Sequence, residues 1–386
     1  MGPVGWYAGQ NLNWFDFTDA YYSAGLAALG DLTQLYSAKV FVFGFVNFPL
    51  LAYLFAPFGL MSNQIAGQVF YSMGYISLIP LAYWLIKVAE LDGWKRWFML
   101  GILIINDPLE YSLDIGNTTH FIMVIMLISL WWLKQGRDWL AGILLGFSGL
   151  IKLSFIPSLA YFFIRRRWHV VGGGLLVAGL AIGLSLLLIP PSLNIEWLEK
   201  SVLSNAGHSI AAYNNQSLSG FLARHLIPGS DANSWASIPL EPEFNLMSGV
   251  VTALFYLPIV FIMLVDWRSP RTTSQYILEF LIVFVCSLLT SPISWTHYYM
   301  LFLIPVSLYI KDYVFEARRL WLNLLFGCSL AFLSCPASLI LKIYELTDQR
   351  IFLSLYFIGG VLLYLSLLAF WHGKRYGYLR NPSISN

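Results

Sequence analysis

Apolar residues run along this chain in long blocks broken by short polar interruptions. Measured against the roughly 20 apolar residues a membrane-crossing helix needs, candidate crossings fall at 39–61, 64–87, 97–106, 117–134, 139–164, 169–190, 246–266, 275–291, 298–311, 319–339 and 353–371. The block at 97–106 is short for a crossing. Before the first block, residues 1–38 carry Trp, Tyr, Asn and Asp where a cleavable signal would place a basic segment and an apolar run. The longest interruption, 191–245, is too rich in Trp, Tyr, Phe and Leu to be a disordered tether. No tandem repeat, linker or low-complexity tract divides the chain. The pattern predicts one membrane-embedded domain over 1–386. It comprises a non-cytoplasmic loop with an amphipathic helix (1–38), a first helix set (39–190), a large outer loop (191–245), a second helix set (246–372) and a cytoplasmic tail (373–386).

Composition makes the membrane reading firm. Of 386 residues, 58% are hydrophobic and 11% are charged, against about 25% charged in ordinary soluble domains. So few charges cannot wet a soluble surface of this size. A net charge of +2 leaves no basic face for nucleic acid. Cys286, Cys328 and Cys335 lie in apolar runs and form neither a disulfide framework nor a metal cluster. Basic clusters at Arg165–Arg167, Arg268 with Arg271, Lys311 with Arg318 and Arg319, and Lys374, Arg375 and Arg380 mark cytoplasmic ends by the positive-inside rule. Strict alternation then puts Lys95, Arg96, Lys134 and Arg137 outside. Either 97–106 is a re-entrant half-helix, or the rule fails locally.

The polar residues worth chemical attention gather on the non-cytoplasmic side. Asp16 and Asp19 lie three apart in a stretch with helical spacing that continues through Tyr21 and Tyr22. A solvated acidic face on an interfacial helix explains them, and so does a carboxylate made more basic by partial desolvation. His297, in Ser291-Pro292-Ile-Ser-Trp295-Thr-His297-Tyr298-Tyr299, can hydrogen-bond or charge-pair with an anionic group, where Trp295 and the tyrosines alone read as aromatic belt. Lys152 sits deep in an apolar run ahead of Pro157, which breaks the helix and frees polar backbone; snorkelling to the interface is its bland explanation. In the outer loop, Asn215 and Gln216 suit hydroxyls and Arg224 suits a phosphate, with a capped helix start as the simpler account of the first pair. Asn117, in Asp114-Ile-Gly116-Asn117, reads as a helix cap or a polar ligand.

Taken in order, these groups resemble glycosyltransferase family 87, polytopic transferases of the GT-C type. The likeness runs from about residue 12 to about residue 312. It rests on an acid before Tyr21-Tyr22-x-Ala24-Gly25, Asn47-Phe-Pro49 through Ala56-Pro57, Gly116-Asn117, Ala141-Gly142 to Lys152 and Pro157, and Ser291-Pro292 to Tyr299. The resemblance implies an all-α membrane bundle that moves a sugar, mannose in the first instance, from a polyprenyl-phosphate donor to a lipid or glycan hydroxyl, with inversion. It implies an aspartate base, with Asp16 and Asp19 as rival counterparts and Asp16 favoured. It implies substrate contacts from Tyr21, Tyr22, Asn117, Lys152, Asn215, Gln216, Arg224, Trp295 and His297. No metal or other cofactor is expected, and the site is expected on the outer face of the cell membrane. Family members usually begin with a helix before the acidic loop, which is expected to be missing here. The rival readings are a transporter or flippase using Lys152 and Glu279, and a non-enzymatic scaffold.

Overall fold

The structure is a computed structural model and describes residues 14–36, 44–205, 207–265, 271–313 and 320–375. Its first element is a π-helix, Phe17–Tyr22, continued by α1 (Ser23–Leu29). Then follow α2 (Ala52–Gly59), α3 (Asn63–Ala89), α4 (Gly93–Ile104), α5 (Asp107–Asp114), α6 (Thr119–Lys134), α7 (Asp138–Ile151), α8 (Ile156–Ile164) and α9 (Trp168–Leu188). The loop that comes next holds α10 (Pro191–Trp197), a second π-helix (Leu198–Val202), a two-residue ribbon of β1 (His208–Ser209) with β2 (Ile238–Pro239), and, between those strands, α11 (Leu218–Leu226). The chain finishes with α12 (Pro242–Leu264), α13 (Thr273–Thr290), α14 (Leu303–Tyr313), α15 (Leu320–Leu333), α16 (Ala337–Thr347) and α17 (Leu355–Arg375). Five of these segments are long and apolar enough to cross a membrane: α3, α9, α12, α13 and the run Arg350–Lys374. The chain is an all-α integral membrane protein, apart from that ribbon.

Local signals set the helix ends. Thr272 and Gln275 form a reciprocal capping box at the start of α13, which satisfies two otherwise orphaned amides. Ser217 accepts from the Gly220 amide to start α11, and Asn106 accepts from the Leu109 amide to start α5. Left-handed Glu90 ends α3.

The basic residues converge on one end of the bundle. Glu90 at the end of α3 pairs with Lys134 from α6 (2.7 Å) and with Lys311 from α14, and the two ammonium groups hold its carboxyl down near 2. Lys95 from the first turn of α4 donates to the Lys311 carbonyl. Asp138 at the start of α7 pairs with Arg167 at the start of α9 (2.6 Å). Glu279 in α13 takes Arg165 (2.8 Å) and Arg271 (2.9 Å). Lys95, Arg96, Lys134 and Arg137 therefore share an end with the other basic clusters, which corrects their expected place outside. The reason is that α6 ends at Lys134 on the basic end, so α4 and α5, with 12 and 8 residues and a break at Asn106 and Pro108, carry the chain from Lys95 to the opposite end where α6 begins. Hydropathy saw only α4.

Among the described residues, two expected crossings do not form a single membrane-length helix. In 39–61, residues 39–43 lie outside the described residues, and the helical part is Pro49–Gly59, about 16 Å long. It packs on α1 so tightly that a Cβ at Gly25 would sit 2.3 Å from the Phe55 carbonyl oxygen. Block 139–164 is a hairpin. Lys152 interrupts it in extended conformation (φ −125°, ψ 91°) and Pro157 restarts the helix. Arg167, three residues beyond α8, reaches Asp138 at the start of α7, so both arms begin and end at the basic end. Small residues let α7 lie against α9: a Cβ on Gly142 would meet the Val170 carbonyl oxygen at 2.1 Å, and one on Gly173 the Trp139 carbonyl oxygen at 2.3 Å. The block 319–339 is also bent, since α15 and α16 meet at 90°.

Candidate active site

At the end opposite the basic residues a cavity of about 470 Å³ opens between the first π-helix, the turn before α6, the tip of the α7–α8 hairpin, and Ser291–Tyr298. That volume suits small polar ligands. Its chemistry starts at Gly116, whose φ of +69° belongs to glycine. A Cβ there would stand 2.7 Å from Phe17 Cβ and 2.9 Å from Trp14 Cβ. The bare turn lets the acidic segment dock: the Asp16 and Phe17 amides both donate to the Ile115 carbonyl, at 2.9 and 3.3 Å. Phe17 is fully buried and stacks on Phe70, anchoring Asp16 at the cavity wall.

Asn117 Nδ2 then donates to Asp16 Oδ2 (2.7 Å). Asn117 Oδ1 accepts from Lys152 Nζ (3.1 Å) and from both the amide and the hydroxyl of Thr119 (3.1 and 2.7 Å). Lys152 is 6% exposed and its ammonium lies 4.7 Å from the centre of the Tyr298 ring, a cation–π contact. The carboxylate and the ammonium thus stand one amide apart on the same cavity. Burial pushes the Asp16 carboxyl up to about 6, against the Asn117 hydrogen bond and the Lys152 charge, which pull it down. A carboxylate at that position is a competent base near neutral pH. His297 also lines the cavity, is 3% exposed, and has no hydrogen-bond partner on either ring nitrogen among the described residues. Burial, with Lys152 and His120 nearby, drives its pKa well down, so it meets a ligand as a neutral hydrogen-bonding ring.

Of the residues singled out in the sequence, Asp16, Tyr21, Asn117, Lys152, Trp295 and His297 line this cavity. Tyr21 stacks on Phe55 at 4.6 Å and shares a hydrogen bond with Thr118. Asp19 is exposed. The wider winding of a π-turn swings it off the face that Asp16 occupies, which corrects the expectation of two carboxylates on one face. Tyr22 points away and donates to the Met61 carbonyl (2.9 Å).

Three residues expected to contact substrate are consumed by the fold. Arg224 is 0% exposed and donates to the carbonyls of Ala211, Ala212 and Asn215 and to the Ser354 hydroxyl. Asn215 donates to Ile210 and accepts from the Ser217 and Ser294 amides. Gln216 ties Tyr213, Leu353 and the Phe357 amide together. These are buried main-chain groups that must find partners, and the side chains supply them. The outer loop is thereby stitched to the Trp295 segment, which pairs with Asn215 in an isolated bridge. Glu279, proposed for a substrate path, lies among arginines at the other end of the bundle.

Sequence reading missed Ser154, Lys200, Ser201, Asn205 and Tyr256, all on the cavity wall. Lys200 pairs with Glu196 (2.5 Å) and donates to the Tyr36 carbonyl, while the Ser154 and Ser201 hydroxyls are buried without partners among the described residues. Lys200 and Ser201 belong to the second π-helix, and π-turns concentrate at functional sites. Nothing in local sequence marks such a turn. Among the described residues no group of three or more His, Cys, Asp or Glu is placed to hold a metal ion.

Comparison with known proteins finds mannosyltransferases among the relatives. A polyprenol-phosphate-mannose-dependent alpha-(1-2)-phosphatidylinositol pentamannoside mannosyltransferase of Mycobacterium tuberculosis is 28% identical over 324 residues, 78% of this chain and 67% of the relative. The protein of the same description from Mycolicibacterium smegmatis is 26% identical, over 76% of this chain and 68% of its own length. A phosphatidylinositol mannoside mannosyltransferase of the latter organism is 24% identical, over 73% and 65%. The chain thus spans about two thirds of the length of these curated relatives. Glycosyltransferase family 87 matches residues 45–292, from four residues before the short helical segment Pro49–Gly59 to Pro292, with Asn117 and Lys152 inside the match. That match covers well over half of the sequence, and the chain belongs to glycosyltransferase family 87.

Proposed function

We propose that the chain is an inverting mannosyltransferase using a polyprenyl-phosphate-mannose donor, as its relatives do, and a hydroxyl of a mannosylated phosphatidylinositol or similar glycolipid as acceptor. The observation that carries this is the Asp16 carboxylate and the Lys152 ammonium facing one cavity across a single amide. Asp16 takes the proton of the acceptor hydroxyl as its oxygen bonds to the anomeric carbon. The bond from that carbon to the phosphate oxygen breaks, and the electron pair leaves with polyprenyl phosphate. Lys152 and a His297 N–H meet the charge that grows on the phosphate, and no metal is invoked. Asp16 is the lone carboxylate among the described cavity-lining residues, which supports one displacement with inversion over a covalent glycosyl-enzyme. Trp295 offers a face on which a sugar ring stacks. Ser154, Ser201 and Asn205 offer hydrogen bonds to sugar hydroxyls.

By the positive-inside rule the basic end is cytoplasmic, so the cavity belongs to the non-cytoplasmic face, at the plasma membrane in this reading. Purified protein in nanodiscs should transfer label from polyprenyl-phosphate-[14C]mannose to a phosphatidylinositol mannoside. Asp16→Asn should lower kcat by roughly a hundredfold or more, the scale of a lost general base, while Asp19→Asn stays within a few-fold of wild type. Near-normal turnover by Asp16→Asn would remove the base from this scheme.

A further inference from the structure

We infer that Asn117 is the positioning residue of the transfer, holding one oxygen of the Asp16 carboxylate so that the other faces the acceptor, and fixing the distance from that carboxylate to the phosphate-binding Lys152. The inference rests on the reading of Asp16 as the base, and gives Asn117 a role other than the substrate contact expected from the sequence.

The hydrogen bonds leave the amide one orientation. Its Oδ1 receives the Thr119 amide, the Thr119 hydroxyl and the Lys152 ammonium. Amide N–H and ammonium groups only donate, so the oxygen must face them and the NH₂ must face Asp16. Three donors already crowd the two lone pairs of Oδ1, which leaves it no capacity for a sugar hydroxyl. The side chain is 4% exposed, and its backbone is fixed by the glycine turn before it and by its own amide donating to the Ser112 carbonyl (2.9 Å). Nothing about this asparagine is free to follow a substrate. A carboxylate held at Oδ2 by a rigid donor presents Oδ1 in a set direction, and orientation of this kind is worth large factors in rate.

The charged and titratable groups around Asp16 are Asp19 and Tyr21 on its own helix, Lys152 at the hairpin tip, Tyr298 after Trp295, and Asp114 at the end of α5. Asp114 is an exposed carboxylate close to this segment, since its carbonyl receives the Trp14 amide. The pH profile must therefore be read with an Asp114→Asn control.

The experiment is the pH dependence of kcat and of each KM for mannose transfer by the full-length protein in nanodiscs, with polyprenyl-phosphate-[14C]mannose and a phosphatidylinositol mannoside. Asn117→Ala should lower the plateau kcat roughly tenfold or more and move the acidic limb upward by about one pH unit, because the lost hydrogen bond favoured the ionised carboxylate. The loss should be about fivefold deeper at pH 6 than at pH 8, with both KM values within about twofold of wild type. Thr119→Val should show the same shift in smaller degree, Thr119→Ser should restore the wild-type profile, and Asp114→Asn should leave the limb in place. If Asn117→Ala does not fold, the two Thr119 variants carry the decision. A raised KM with an unmoved limb makes Asn117 a substrate ligand and overturns the inference. An active Asp16→Asn enzyme overturns the base reading instead, and the two failures are distinct.

Discussion

Gly116 decides where Asn117 stands, and through it where Asp16 stands. Its positive φ and the Phe17 and Trp14 atoms that a Cβ would strike make Gly116→Ala a strong test. The backbone cost alone is about 1–2 kcal/mol, and the acidic segment must also shift. Thermal unfolding in detergent should show a lower Tm, and mannose transfer should fall further than the loss of folded protein explains. At this scale, Lys152 was legible as a charge deep in an apolar run, which is costly to keep unless used or paired, while Asp16, Asn117 and His297 drew notice by their place among aromatic and glycine positions; all four line the cavity. Arg224, Asn215 and Gln216 looked equally promising and are spent inside the fold. Their partners are main-chain carbonyls and amides, with the Ser354 hydroxyl, brought together from residues 210–217, 294 and 353–357, and no local pattern announces that a loop will satisfy its backbone with those side chains. Lys200 and Ser201 escaped notice for the converse reason, since only folding brings the second π-helix to the cavity.

The α7–α8 hairpin shows what hydropathy reports at the scale of an element. It registers that 139–164 is apolar and not that the chain reverses within it. Lys152 and Pro157 marked the break in the sequence, but the reversal depends on packing: Gly142 and Gly173 bring α7 and α9 into contact, and Phe155 meets Phe284 at 5.1 Å. The base of the hairpin is latched by Glu279, 2% exposed. That carboxylate receives Arg165, Arg271, the Tyr161 hydroxyl (2.9 Å) and the Trp371 indole (3.3 Å), and Arg165 also caps the Ile262 and Met263 carbonyls of α12. Glu279→Gln keeps the shape and leaves two guanidinium groups without their counter-charge. Breaking a buried ion pair in this way costs about 3–5 kcal/mol. The midpoint of heat denaturation in detergent should drop accordingly, whereas Asp348→Asn at an exposed turn should change it little. A Glu279→Gln midpoint equal to wild type would show that the latch does not hold the hairpin.

For the whole molecule, charge placement predicts topology. With Cys328 replaced, an introduced cysteine at exposed Arg137 or Arg166 should be labelled by a membrane-impermeant maleimide from one side only, and one at exposed Asp231 from the other. Labelling of positions 137 and 166 from opposite sides would refute the single basic end. The overall class, the long helices and the basic clusters were readable from composition and blocks of hydropathy. The direction of the chain through 88–138 was not, because α5 carries Asp107, Glu110 and Asp114 and reads as a loop although it is helical. The hairpin also bears on traffic. With both arms anchored at one end and Phe155, Phe162, Phe280 and Phe284 packed in one core, it sets apolar packing between the cavity and the basic end. A polar substrate would therefore reach Asp16 and Lys152 from the end of the bundle opposite the basic clusters, and not by way of them.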